Sequence, residues 1–182
     1  MSVEKHLKEQ ILLLKIKHGD AGAYAEVYDQ YVEPIYRYIL FRTPTAEVAQ
    51  DLTADVFLKV WERLSAGYQV SNLKAYLYQV ARNLITDHYR QNQEIALTES
   101  VIEANQELAT ASDVNSRLTL AEIEKSLRQL KPEWQEVVIL VHVEGLSLKE
   151  AAVIIGRSGG ATRALLHRAL KELKRLLNKD NE

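Results

Sequence analysis

The chain has no cysteine, and its 182 residues hold only seven glycines, three prolines, two tryptophans and two phenylalanines. Without thiols there is neither a disulfide nor a thiolate zinc site, which fits a reducing cytoplasm. The five histidines are scattered, and the sequence holds no glycine-rich nucleotide loop, metal-ligand cluster or nucleophile beside a base. The expectation is a protein that is not an enzyme and needs no metal or cofactor. No apolar run approaches the roughly 20 residues of a membrane span. The start, Met1-Ser2-Val3-Glu4-Lys5-His6, also lacks the charged-then-apolar order of a secretion signal. A soluble, cytoplasmic chain without membrane insertion is expected.

What the sequence does have is helical patterning and an uneven charge. Hydrophobic residues make up 47% of the chain, enough for one or two cores. The overall charge is −2, but residues 1–93 carry 11 basic and 11 acidic groups, residues 94–121 one against five, and residues 122–182 11 against nine. The middle stretch is acidic, rich in Asn, Thr and Ser, and free of aromatics. It reads as a tether, with a helical extension of either neighbour as the alternative. An all-α fold is therefore expected, with a helical domain over 1–93, a flexible acidic linker over 94–117 and a second helical domain over 118–182.

The strongest local signal lies near the end of the chain. Ser147 and Glu150 have capping-box spacing, so a helix should start at Leu148. Ala151, Ala152 and Ile155 supply small and branched groups for close helix approach, and Gly156 should end that helix. A second helix follows after a short turn. Thr162, Leu165, Leu166, Ala169, Leu173 and Leu176 face inward on it, and Arg163, His167, Arg168, Lys171, Lys174 and Arg175 face outward. The plain alternative is an amphipathic hairpin with a solvated charged face. Charge argues against it, since Arg157 to Lys179 holds seven Lys or Arg and one acid, Glu172. A solvated face normally mixes signs, whereas a one-sided cationic face suits phosphates. A DNA-binding helix-turn-helix is the preferred reading.

Four helices are expected upstream, with no alternating strand pattern and no repeat. The first runs from Leu7 to Lys17 and stops at His18-Gly19. The second runs from about Asp20 to Arg42, with Tyr24, Val27, Tyr28, Tyr31, Ile35 and Ile39 inward, and Thr43-Pro44 ends it. The third, from about Thr45 to Leu64, carries an apolar stripe of Ala49, Leu52, Val56, Phe57, Val60, Trp61 and Leu64 opposite Asp51, Asp55, Lys59 and Glu62. The fourth, starting after Ser71-Asn72 and reaching about Arg90, shows two faces. Leu73, Leu77, Val80, Ala81, Leu84, Ile85 and His88 point to a core, while Lys74, Tyr78, Arg82, Thr86 and Arg90 form a separate stripe. Interleaved cations and rings suit unstacked bases, although tyrosines on a small helical domain also serve as half-buried packing.

Three separated blocks, Asp20-Ala21-Gly22-Ala23-Tyr24-Ala25-Glu26-Val27-Tyr28, Ala49 to Trp61 and Tyr76 to Arg90, closely resemble the extracytoplasmic-function sigma factors of bacterial RNA polymerase. The C-terminal helix pair resembles the same family's upstream-promoter reader, so the resemblance spans all but the tether and the extreme termini. It implies core RNA polymerase and promoter DNA, duplex and melted, as partners, and an anti-sigma factor as a candidate regulator. It places Asp51, Leu52, Asp55, Phe57, Lys59 and Trp61 in the polymerase-binding helix. Leu52, Phe57 and Trp61 also belong to the core stripe, so the partner contact falls mainly on Asp51, Asp55 and Lys59. The loop from Ser65 to Asn72 with Lys74, Tyr76, Arg82 and Asn83 matches the base-capture and melting segment, and Tyr78 of the cationic stripe joins it. On the reader, the DNA-binding set is Arg157, Ser158, Thr162, Arg163, Ala164, His167, Arg168 and Lys171. Two departures stand out: Tyr76 stands where the family commonly has Trp, and Gly159-Gly160-Ala161-Thr162 replaces the usual helix entry. Adjacent glycines should loosen that start. The remaining alternatives are a helix-turn-helix regulator that never binds core polymerase and a helical protein-interaction module.

Overall fold

The computed structural model describes residues 2–98 and 120–179, and the regular structure among them is helical throughout. The chain forms two compact units, Met1–Ile39 with Ala46–Ser100, and Leu40–Thr45 with Val101–Glu182. The expected linker lies outside the described residues from position 99 onward.

The first unit holds α1 (Ser2–Lys17), α2 (Ala21–Leu40), α3 (Ala46–Ser65) and α4 (Leu73–Thr98). Gly19, at φ +83°, takes the left-handed conformation that lets the chain reverse after α1. Asp20 then caps α2, its Oδ1 accepting from the Ala23 amide at 3.0 Å. The expected stripe of α3 forms the middle of the core: Ala49, Leu52, Val56, Phe57, Val60 and Leu64 are buried, and Trp61 is half-buried. Leu73, Leu77, Ala81, Leu84 and Ile85 of α4 and Ile35 and Ile39 of α2 complete it. Each such aliphatic side chain contributes about 1.5–3 kcal/mol of burial. A charge at Val60, which has no exposure at all, would be buried without a partner.

Aromatic rings seal the edge of this core. Tyr24 lies 4.9 Å from Trp61 and Tyr28 4.8 Å from Phe57, centroid to centroid. The Tyr24 hydroxyl donates to the Phe57 carbonyl. Tyr28 was expected inward, but it is 44% exposed and covers Phe57 from outside. Residue Tyr38, absent from the expected stripe, is fully buried. The fourth helix also exceeds its expected end near Arg90 and continues to Thr98, into the segment read as linker.

In the second unit α5 (Leu120–Arg128), α6 (Pro132–Val138) and α7 (Leu148–Ile155) pack on α8 (Gly159–Lys179). Pro132 opens α6 at a position where its missing amide costs nothing. The helix then widens into a π turn over Ile139–Val143, closed by the Glu144 amide on the Ile139 carbonyl at 2.9 Å. Val137, Val138, Ile139 and Leu140 are all buried, against a core that includes Leu165 and Ala169 of α8. The start of α7 is the expected capping box: Ser147 Oγ accepts from the Glu150 amide at 3.2 Å, and Glu150 Oε2 accepts from the Ser147 amide at 2.9 Å. Gly156, at φ +74°, ends it as expected.

Candidate nucleic-acid interface

Two shallow grooves run along α3 and α4 in the first unit. One, of about 370 Å³, is lined by Asp51, Leu52, Asp55 and Lys59 of α3 and by Leu84, Asp87 and His88 of α4. The other, of about 460 Å³, is lined by Lys59, Glu62, Arg63, Tyr76, Val80 and Asn83. Lys59 borders both. Asp51, Asp55 and Lys59 are exposed, whereas Leu52 and Phe57 are buried. The three charged residues can therefore meet a partner, and the two apolar ones act as core.

Beside the second groove the loop after α3 brings an aromatic pair together. The rings of Tyr68 and Tyr76 lie 5.8 Å apart at 30°, and the Arg63 guanidinium sits 5.6 Å from the Tyr68 centroid. Burial raises the Tyr76 pKa, and the positive charge of Arg63 opposes that shift. Tyr76 thus stays a neutral phenol, a donor with a stacking face. Tyr68 is 52% exposed. A ring that is half open to solvent beside a cation is suited to an unstacked base. Tyr68 falls in the loop from Ser65 to Asn72 expected to capture a base but was not named within it, and Arg63 was not singled out from sequence.

Two expected DNA contacts are corrected by burial. Tyr78 is 1% exposed, packed edge-on against Tyr38 at 5.2 Å, so it is a core ring and interrupts the stripe read from Lys74 to Arg90. Its neighbours on that stripe, Lys74 and Arg82, are half-buried. Thr162 has no exposure, and its hydroxyl donates to the Ser158 carbonyl at 3.0 Å. Its i, i+3 and i+4 relation to inward Leu165 and Leu166 outweighs its place at the start of the reader. Two further residues have structural uses. Asn72 Oδ1 caps α4 by accepting from the Ala75 amide at 2.9 Å, and Ser158 Oγ caps α8 by accepting from the Ala161 amide at 3.2 Å.

The rest of the reader set is brought together on one face. Arg163, Ala164, His167, Arg168 and Lys171 are all exposed on α8. Arg168 Nε donates back to the Ala164 carbonyl at 3.2 Å, which lays that side chain along the helix. Arg175 pairs with Glu172 at 2.7 Å, and this hydrogen bond holds the Glu172 carboxyl below its usual range. Arg157, in the turn, contacts Glu133. Short side chains at 159–161 leave the first turn of α8 open, and the cations begin at its edge.

Residues 27–95 match the family model described as Sigma-70 region 2, and residues 120–173 match the one described as Sigma-70, region 4. Over 173 residues the chain is 33% identical to the RNA polymerase sigma factor YlaC of Bacillus subtilis, covering 92% of this chain and 98% of that protein. The chain belongs to the extracytoplasmic-function sigma factors. As an ECF sigma factor it binds core RNA polymerase and promoter DNA and directs transcription initiation. It is also 35% identical over 174 residues to the ECF RNA polymerase sigma factor BldN of Streptomyces coelicolor, covering 93% of this sigma factor and 66% of BldN. Among solved structures it shares its fold with the sigma factor RpoE in complex with the anti-sigma factor NepR from Bartonella quintana. That likeness has a TM-score of 0.74 and 23% identity, over 85% of this chain and 96% of that one. CnrH in complex with the cytosolic domain of CnrY gives 0.73 and 21%, over 95% and 99%. No helix among the described residues of this sigma factor is long and apolar enough to cross a membrane.

Proposed function

We propose that residues 1–93 form the domain that docks on core polymerase and captures the minus-ten element, and that residues 118–182 form the domain that reads the minus-thirty-five element. Asp51, Asp55 and Lys59 make the polymerase contact. Asn83 and Tyr76, joined by Tyr68 and Arg63, meet the melted strand, with Lys74 and Arg82 on the adjoining backbone. In the second domain Arg163, Ala164 and His167 address base edges, and Arg157, Arg168 and Lys171 address phosphates. The factor itself does no chemistry and works in the cytoplasm, where polymerase supplies the catalytic site. An anti-sigma factor, the partner in the RpoE structure, is a further candidate partner.

The observation that carries this reading is the exposed face of α8, where Arg163, His167, Arg168 and Lys171 stand together while Thr162, Leu165 and Ala169 are buried. A cation set held on a rigid helix beside a tight turn is the geometry of a major-groove reader. Run-off transcription with purified core polymerase on a promoter library tests it. Transcripts from a restricted promoter subset, dependent on this chain, are the expected result. Binding to duplex DNA without any such transcription would reject the polymerase role.

A further inference from the structure

The depression between α7 and the first turn of α8 has a composition that nothing inside the protein accounts for. It encloses about 650 Å³, with Val153, Gly159 and Gly160 among its lining residues and Lys149, Arg157 and Arg163 as its only charged ones. Among the described residues no acidic side chain lines it. Val153 is 51% exposed there, an aliphatic group facing solvent on a helix whose neighbouring Ala151, Ala152, Ile154 and Ile155 are buried.

The glycines are the unexplained part. Neither Gly159 nor Gly160 has a positive φ, so backbone geometry does not require them. A Cβ built on either one meets no atom within 4 Å, so packing does not require them. Both are helical residues, and glycine is the poorest helix former after proline. Fold alone would favour alanine at both positions. What two missing Cβ atoms provide is room for something outside the chain to approach the peptide backbone. The rim of three cations and the apolar floor specify its chemistry: an anionic chain with apolar sections between its charges.

Resting on the reading of α8 as the promoter reader, we infer that Gly159 and Gly160 form a seat for the sugar-phosphate edge of the duplex. Deoxyribose lies over Val153 and the two bare glycines, the flanking phosphates meet Lys149 and Arg157, and Arg163 at the edge points on toward the bases. The glycines set how closely the reader approaches the groove. Because sugar and phosphate are the same at every base pair, the seat acts on affinity at all sequences and leaves base preference to the side chains further along α8.

The test uses the full chain bound to core polymerase and a duplex carrying the upstream element that the wild type selects from a randomised library. Gly159→Ala, Gly160→Ala and the double variant are compared by duplex binding at two salt concentrations and by thermal unfolding of the full chain. The expected result is an unchanged or raised melting temperature in each variant, with duplex binding weakened roughly tenfold to a hundredfold in the double variant, the effect of a methyl group forced into a filled contact. The loss should be equal across single-base substitutions. The salt slope should stay as in the wild type, since no cation has been removed. Duplex binding equal to or tighter than wild type in the folded Ala variants would overturn the seat and leave the glycines as a loose helix start. Arg163→Ala on the same duplex keeps the two readings apart: if it weakens binding while the Ala variants do not, α8 remains the reader and only the seat fails.

Discussion

Arg157 Nη2 donates to Glu133 Oε2 at 2.6 Å, joining the turn before α8 to the first turn of α6 across 24 residues of sequence. The two side chains remain 43% and 47% exposed, so the pair itself stabilises the fold by about 0.2–1 kcal/mol at most. Its larger effect is on charge, because one of the cations assigned to phosphate is held by a carboxylate.

Glu133→Ala should therefore change stability little while strengthening duplex binding. The salt slope should steepen by about one unit or less, the signature of one more phosphate neutralised. Fluorescence anisotropy with a promoter duplex at two salt concentrations measures both, and an unchanged slope would show that Glu133 does not hold Arg157 back from phosphate.

Asp51 and Asp55 are exposed on α3, so replacing both with Lys should abolish binding to core polymerase in a pull-down. The fold should survive, since exposed helix positions usually change stability by less than about 0.5 kcal/mol each. Retained core binding by the folded variant would remove these carboxylates from the interface.

Tyr76 and Tyr78, two residues apart, should behave as opposites. Tyr78→Ala deletes a buried ring against Tyr38 and should cost about 3–5 kcal/mol of stability. Tyr76→Ala removes a half-buried ring and should lower the melting temperature much less than Tyr78→Ala. It should slow open-complex formation on duplex promoters, with much less effect on a template whose minus-ten region is already unpaired.

On α8, Arg163→Ala should weaken binding and relax preference at one base position, where a bidentate arginine discriminates by about 1–3 kcal/mol. Lys174→Ala should lower affinity about equally for all sequences. Lys174 is the better comparison than Arg175, which is engaged with Glu172. Equal losses across all sequences for Arg163→Ala would make it a phosphate contact.

The first unit should be sensitive to alkali. Burial raises the pKa of Tyr24 and of Tyr31, where the Glu9 charge adds to the effect. A phenol whose native pKa exceeds the unfolded value of about 10 contributes stability that is complete below that pH and lost as pH rises through the native value. The melting temperature followed by circular dichroism should hold up to about pH 10 and then fall. Tyr24→Phe should cost about 0.5–1.5 kcal/mol near neutrality, through the lost hydrogen bond to Phe57, and flatten the alkaline decline.

The parts of this structure that could be read in advance are those whose signals are local. The capping box at Ser147 and Glu150, the left-handed stop at Gly156 and the inward and outward faces of α8 each depend on residues within one or two helical turns. Tyr78 was misplaced because a four-residue spacing groups it with Lys74 and Arg82, while the ring that buries it, Tyr38, is forty positions away on α2. Thr162 was placed inward by its spacing to Leu165 and Leu166 and on DNA by the family resemblance, and its full burial sides with the spacing. The pairing of Tyr68 with Tyr76 and that of Arg157 with Glu133 join segments with no periodic relation. The run from Gln135 to Leu140 has no usable periodicity either, since all of it is buried and its helical phase changes within the run.

That change of phase has a consequence for how this protein tolerates insertions and deletions. A π turn holds one residue more than the α-helical hydrogen bonding on either side needs, so deleting one residue from Ile139–Val143 would leave every backbone bond replaceable. An α turn with one residue fewer covers about the same rotation as this π turn, so the same deletion would leave Leu146, now 2% exposed, on the core before α7 begins. A one-residue deletion within Ile139–Val143 would therefore keep the direction of the chain that leads to α7 and α8, whereas the same deletion inside α7 would turn the residues after it by about 100°.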